Sequence, residues 1–140
     1  MKNWVVLALI SMVFAGLTSV IAKMGLKNVS SDTGLAIRTI SVVIVVALNV
    51  FCFQSMKDFK NLSTNDILIL SFSGITAGLS WIFYFRAVKI GNVSQVALID
   101  KGSIIITVLL SLLILNEKFT WQTAVGGVLI IAGLLVLTLK

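Results

Sequence analysis

The sequence predicts an all-α membrane protein with five transmembrane helices. Three observations carry that prediction. First, residues 3–22, 39–56, 67–85 and 121–139 each run uncharged for about the 17–25 residues that a membrane helix needs. Second, the chain is 59% hydrophobic and 11% charged with a mean hydropathy of +1.12, whereas a soluble domain averages about a quarter charged residues. Third, the ten-residue alternating segments of a membrane β-barrel are absent, which leaves helices to satisfy the backbone in lipid. The connections are too short to hold a soluble domain. Counting a fourth span that carries charge, the expected spans are about 3–22, 35–54, 67–88, 94–115 and 121–139.

The net charge of +6 does not signal nucleic acid, because the basic residues are scattered through loops and span ends, as loop-enriched Lys and Arg would be. A single cysteine, Cys52, allows no internal disulfide. Without histidine there is no His-based triad or His-ligated metal site, and neither a cofactor nor a metal is expected.

In the first span, Trp4 reads as an interfacial anchor. The run behind it is nearer span length than signal-peptide length. Ala8, Ser11, Ala15, Thr18 and Ala22 share a face of small residues suited to helix packing, with Ser11 and Thr18 as lesser candidates for a pathway lining. The second span carries Arg38 about a turn inside, with Ser41, Val45 and Asn49 at helical spacing from it. Arg38 is near enough to the interface to snorkel, and an anchor or structural ion pair competes with a site role. The third span contains Gly74 and Gly78 in a GxxxG spacing that permits close helix approach. Trp81 and Tyr84, near its end, read as interfacial aromatics or as walls of a substrate path. Arg86 and Lys89 follow as expected snorkelling residues.

The fourth span organises the rest. Only 15 residues separate Lys101 from Glu117, about 22 Å of helix against a hydrocarbon core of about 30 Å. A crossing helix must therefore reach back toward Val93 and draw Asp100 and Lys101 below the headgroups. Charges at that depth face a partner, a protein interior or a wet cavity. Asp100, Ser103, Thr107 and Ser111 fall on one polar stripe, read as the lining of a pathway. The last span has Gly126, Gly127 and Gly133 and no polar side chain from Ala124 to Leu137, which suits packing and lipid contact. Glu117, just before it, is expected to cap that helix. The chain has no proline, so a broken helix would rest on glycines such as Gly102.

Orientation stays balanced. Lys2, Lys57, Lys60 and Lys118 lie toward the N-terminal side, against Lys23, Lys27, Lys89 and Lys140 on the other. Adding Arg38, Arg86 and Lys101 favours a cytoplasmic C-terminal side. The even loop count suggests insertion in both orientations.

Three stretches are shared with a known family. They are Gly78-Leu-Ser80-Trp81-Ile-Phe-Tyr84-Phe85-Arg86-Ala87, then Val96-Ala97-Leu-Ile-Asp100-Lys101, then Leu115-Asn116-Glu117-Lys118 ahead of Gly126-Gly127 and Ala132-Gly133. With Lys23-Met-Gly-Leu-Lys27, this pattern resembles the EamA domain of the drug/metabolite transporter superfamily over essentially all 140 residues. The resemblance implies one EamA-like five-helix domain over 1–140. Members usually carry two inverted repeats, so a single repeat implies an antiparallel homodimer. Ala15-Gly16 stands where many members have Trp-Gly, and the proline often found near Val96-Ala97 is missing. No carboxylate lies in the first span, so the proton exchange of the small multidrug-resistance branch is not carried over.

The expected function is a secondary carrier for a small polar metabolite, not an enzyme, working by alternating access in a bacterial plasma (inner) membrane. Its partners are lipid, a small-molecule substrate and a second copy of the chain. The expected pathway residues are Asp100, Lys101, Ser103, Thr107, Arg38, Tyr84 and Trp81, with Gly74, Gly78, Gly126, Gly127 and Gly133 for packing. An Asp100–Arg38 ion pair is the structural alternative for the charges. A non-transporting assembly or regulatory subunit is the alternative for the protein.

Overall fold

A computed structural model describes residues 3–53 and 62–138. Every element in it is helical: α1 (Asn3–Gly25), α2 (Ser31–Phe53), α3 (Thr64–Ile90), α4 (Val93–Asp100), α5 (Ser103–Ile114) and α6 (Trp121–Thr138). Four stretches have the length and apolarity to cross a membrane: α1, α2, α3 and the interrupted segment Val93–Ile114. α6 is apolar too but shorter, 18 residues or about 27 Å long against a hydrocarbon core of about 30 Å. The chain is an integral membrane protein. It divides into two compact units, 1–90 and 91–140.

Helix starts follow local side-chain chemistry. Ser30 caps α2, its Oγ accepting from the Thr33 N–H at 3.1 Å. At α3 a reciprocal cap forms, in which the Ser63 N–H donates to Asp66 Oδ2 at 3.2 Å and Ser63 Oγ accepts from the Asn65 N–H at 3.4 Å. Thr120 caps α6, accepting from the Thr123 N–H at 3.2 Å. The cap of α6 is thus Thr120, where the sequence suggested Glu117. A hydroxyl one residue ahead of Trp121 reaches the free N–H groups of the first turn, and Glu117 is spent on the corner before it. There Asn116 adopts a left-handed φ of 52°, and the Glu117 N–H turns back to the Ser111 carbonyl at 3.3 Å. Asparagine tolerates that conformation better than most residues.

In the first unit α3 packs against both α1 and α2. The packing is concentrated where α1 and α3 end and α2 begins. Leu26, Phe85 and Val88 are the buried apolar residues there. Gly34 gives Leu26 its place, because a Cβ at position 34 would lie 2.4 Å from Leu26 Cδ2. Farther along, residues 6–17, 43–49 and 62–77 are exposed in the protomer, as helices bathed in lipid or met by another chain would be.

That packed end is tied by two lysines used reciprocally. Lys23, in the last turn of α1, donates to the Val88 carbonyl at 2.6 Å and the Lys89 carbonyl at 3.1 Å, at the end of α3. Lys89 donates to the carbonyls of Leu26, Lys27 (3.1 Å) and Val29 (3.0 Å), just beyond α1. Lys23 meets carbonyls that a helix terminus leaves without intrahelical donors and that carry its negative dipole end, while Lys89 meets the carbonyls of the turn that follows α1. Arg86 joins α3 to α2 by a two-point pair with Asp32, at 3.2 and 3.3 Å. Lys89 and Arg86 thus hold neighbouring segments.

In the second unit α4 and α5 both pack on α6. Together α4 and α5 make one span, joined through Lys101 and Gly102, both of which keep right-handed helical dihedrals (φ −65°, ψ −14° and φ −59°, ψ −22°).

Candidate functional site

The expected site residues fall on two separate features, one in each unit. In the first unit a groove of about 540 Å³ runs between α1 and α2, with Phe85 of α3 also lining it. Apolar residues make most of its wall, and the polar contributors are Thr18, Arg38 and Ser41. Both hydroxyls are turned to their own helices: Thr18 donates to the Phe14 carbonyl at 2.8 Å and Ser41 to the Ile37 carbonyl at 3.2 Å.

Arg38 is half-buried, and its guanidinium carbon lies 4.3 Å from the Trp81 ring centroid and 5.5 Å from that of Phe85. Stacking on aromatic faces is favourable for a guanidinium but does not use its in-plane N–H donors. Nη1 is buried and bonds nothing among the described residues. Trp81 thus serves α2. Tyr84 turns to α1 instead, donating to Ser19 Oγ at 2.7 Å, while Ser19 donates to the Ala15 carbonyl at 3.2 Å. Sequence reasoning did not single out Ser19 or Leu26, and it used Lys23 only for loop charge and family resemblance. The one available signal was a lysine about a turn from each of two helix ends.

In the second unit the junction of α4 and α5 has a defined backbone pattern. The Lys101 N–H is shared between the Ala97 and Leu98 carbonyls, at 3.3 and 3.1 Å. The Gly102, Ile104 and Ile105 N–H groups then reach three residues back, to Ile99 (2.9 Å), Lys101 (3.1 Å) and Gly102 (3.0 Å). Such tighter bonds mark a 3₁₀ step, often found at a functional hinge. The Asp100 carbonyl and Ser103 N–H consequently lose the α-helical partners that a continuous span would give them. Gly102 permits the step: a Cβ there would lie 3.0 Å from the Ile99 carbonyl oxygen and 3.0 Å from Leu134 Cδ1 of α6.

Asp100 and Lys101 are exposed at the junction, with Ser103 and Thr107 exposed beyond it. Thr107 donates to the Ser103 carbonyl at 3.1 Å and Ser111 to the Val108 carbonyl at 3.0 Å. The 3₁₀ step turns the chain by about 120° per residue instead of about 100°, which brings Asp100 and Ser103 onto one face and leaves Thr107 about 40° round from them. A Cβ placed at Gly74, Gly78, Gly126, Gly127 or Gly133 meets nothing within 4 Å.

Apolar helices of spanning length, one of them with a 3₁₀ step beside an acid and a base, and a groove lined by a cation define a polytopic membrane protein with charged residues inside its apolar segments. The chain belongs to the EamA-like transporter family, whose model matches residues 2–139. It is 36% identical over 136 residues to a Sinorhizobium protein called "Uncharacterized transporter in cobO 3'region", covering 97% of this chain and 96% of that one. No solved structure matches the chain. Family and relative together support a transporter role.

Proposed function

We propose that this protein is a secondary carrier for a small polar metabolite, acting by alternating access as an antiparallel pair of copies in a bacterial plasma membrane. The observation that carries the reading is the 3₁₀ step at Lys101–Gly102, directly after Asp100, in an otherwise apolar span. Carriers commonly place interrupted helices at their sites, where freed backbone groups and helix ends meet substrate or coupling ion. On this reading Asp100 is the cation- or proton-sensitive group, Lys101 its neighbour of opposite charge, and Ser103 and Thr107 line the continuing path.

The balanced loop charge supports a second, inverted copy. So do Gly74, Gly78, Gly126, Gly127 and Gly133, which like Gly16 and Gly25 face open space, since a glycine offers lipid no advantage but lets another helix approach closely. No constellation of acid, base and nucleophile recommends an enzyme.

The test uses proteoliposomes and a metabolite selected by thermal shift of the purified protein. Asp100→Asn is expected to abolish pH-dependent uptake while Asp100→Glu retains it, both with unchanged circular dichroism. Uptake indifferent to Asp100→Asn would remove the coupling role. Terminal tags found on a single side, with no cross-link through cysteines placed at Gly74 or Gly126, would remove the antiparallel pair and favour a subunit of fixed orientation.

A further inference from the structure

We propose that the groove between α1 and α2 receives an organic monocarboxylate with an apolar body, and that Arg38 holds its carboxylate. The inference rests on the carrier reading and narrows its substrate class.

Arg38 is the polar residue of the lining with donor capacity left over, because the Thr18 and Ser41 hydroxyls already donate to Phe14 and Ile37. Its ring partners leave the N–H groups unused, and Nη1 is both buried and without a bond among the described residues. A buried donor left in that state is costly, and a carboxylate answers it with two parallel charge-assisted bonds. The acids described in this unit are committed elsewhere: Asp32 to Arg86, and Asp66 to the Ser63 N–H. The lysines at the packed end are committed too, Lys23 and Lys89 each donating to backbone carbonyls. One cation thus faces the groove, which matches one negative charge better than two.

The rest of the wall, including Ile21, Ala22, Ile37, Val42 and Val45, suits an apolar body. The groove's 540 Å³ lies within the roughly 300–1,000 Å³ of small-molecule sites. Depth separates a free metabolite from a lipid headgroup. Arg38 stands seven residues past Ser31, about 10 Å along the helix. Its guanidinium lies between the rings of Trp81 and Phe85, nine and five residues before the end of α3, which holds it at about that same distance from the helix ends.

The experiment uses the full chain with Trp4→Phe and Trp121→Phe, which leaves Trp81 beside the guanidinium as the fluorescent reporter. In phosphatidylcholine nanodiscs, phenylacetate is expected to change Trp81 emission saturably. Phenylacetamide and phenethylamine are expected to bind about tenfold more weakly or not at all. Arg38→Gln should remove the preference for the carboxylate, and Arg38→Lys should restore part of it. Equal binding of acid and amide by the Arg38 protein overturns the proposal without any variant that must fold. Unchanged acid binding by Arg38→Gln also overturns it.

A lipid occupant would show as phosphatidylglycerol competing with phenylacetate only when Arg38 is present, and would likewise overturn it. Carboxylate binding by a protein that moves no solute across vesicles would sink the carrier reading and keep the site. Transport indifferent to substrate charge and to Arg38 would do the reverse.

Discussion

Replacing Lys89 with methionine keeps the unbranched apolar stem and removes the ammonium. In the folded protein that ammonium answers three carbonyls, those of Leu26, Lys27 and Val29, in the turn between α1 and α2. A hydrogen bond from a charged group contributes about 1.5–3 kcal/mol net, and one half-buried ammonium with three acceptors is one such interaction, not three. Water at the membrane edge will re-solvate part of the turn, so the expected loss is about 2 kcal/mol, in the lower half of that range. The assay is unfolding of purified protein in mixed micelles of rising dodecyl sulfate, followed by circular dichroism. Lys27→Met is the control: it removes a cation of the same turn whose side chain is exposed, and is expected to stay within about 0.5 kcal/mol of the parent. Lys23→Met should resemble Lys89→Met, since Lys23 holds the opposite strand of the same corner. The double variant should cost about 1 kcal/mol less than the sum, because a corner already freed has less to lose. Lys89→Met no worse than Lys27→Met would refute the reciprocal tie.

Other outcomes can be checked in the same assay. Tyr84→Phe and Ser19→Ala each break the 2.7 Å bond between α3 and α1; each should cost about 1 kcal/mol, and together no more than the larger. Asp32→Asn should cost at most about 1 kcal/mol despite two good contacts, because both side chains of the pair are more than half exposed. Gly34→Ala should destabilise by about 1–3 kcal/mol through the close approach to Leu26, and by less in a Leu26→Ala background. Asn116→Val should cost about 1–2 kcal/mol and Asn116→Gly nearly nothing, since the left-handed corner penalises a β-branched residue.

The helices were legible because their signal is compositional. Uncharged apolar runs of span length admit one backbone solution in lipid, and the Ser, Thr and Asp residues that cap them sit at the ends of those runs. The unusual fourth span was legible from arithmetic on Lys101 and Glu117 alone. Its 3₁₀ step at Gly102 was foreshadowed by the absence of proline, though the freed Asp100 carbonyl and Ser103 N–H required the backbone itself. Side-chain partnerships were not legible. Arg38 is equally well placed in sequence to snorkel, to pair with an acid or to stack, and its choice of Trp81 depends on how α2 turns against α3. Lys89 reads as an ordinary span-end lysine until the turn after α1 is seen within reach.

The distribution of bonds in the first unit has a physical reason that also bears on function. Lipid tails are as apolar as leucine, so burial of apolar surface does little to hold membrane helices together; hydrogen bonds and close packing must do it. Here the tertiary hydrogen bonds of Lys23, Lys89, Arg86 and Tyr84 involve residues within the last two turns of α1 and α3, the first turn of α2, or the connection between α1 and α2. The same region holds Leu26, Phe85 and Val88. Beyond it the helix faces are left to whatever surrounds the protomer. Three helices pinned at one end and unpacked along the rest leave room between α1 and α2, and Arg38 lies beside the pinned region where that room begins. A groove arranged in this way can change width by pivoting about a hydrogen-bonded corner without breaking a packed core, because the buried residues that line it, Leu26 and Phe85, lie at that corner and not along the helices beyond it.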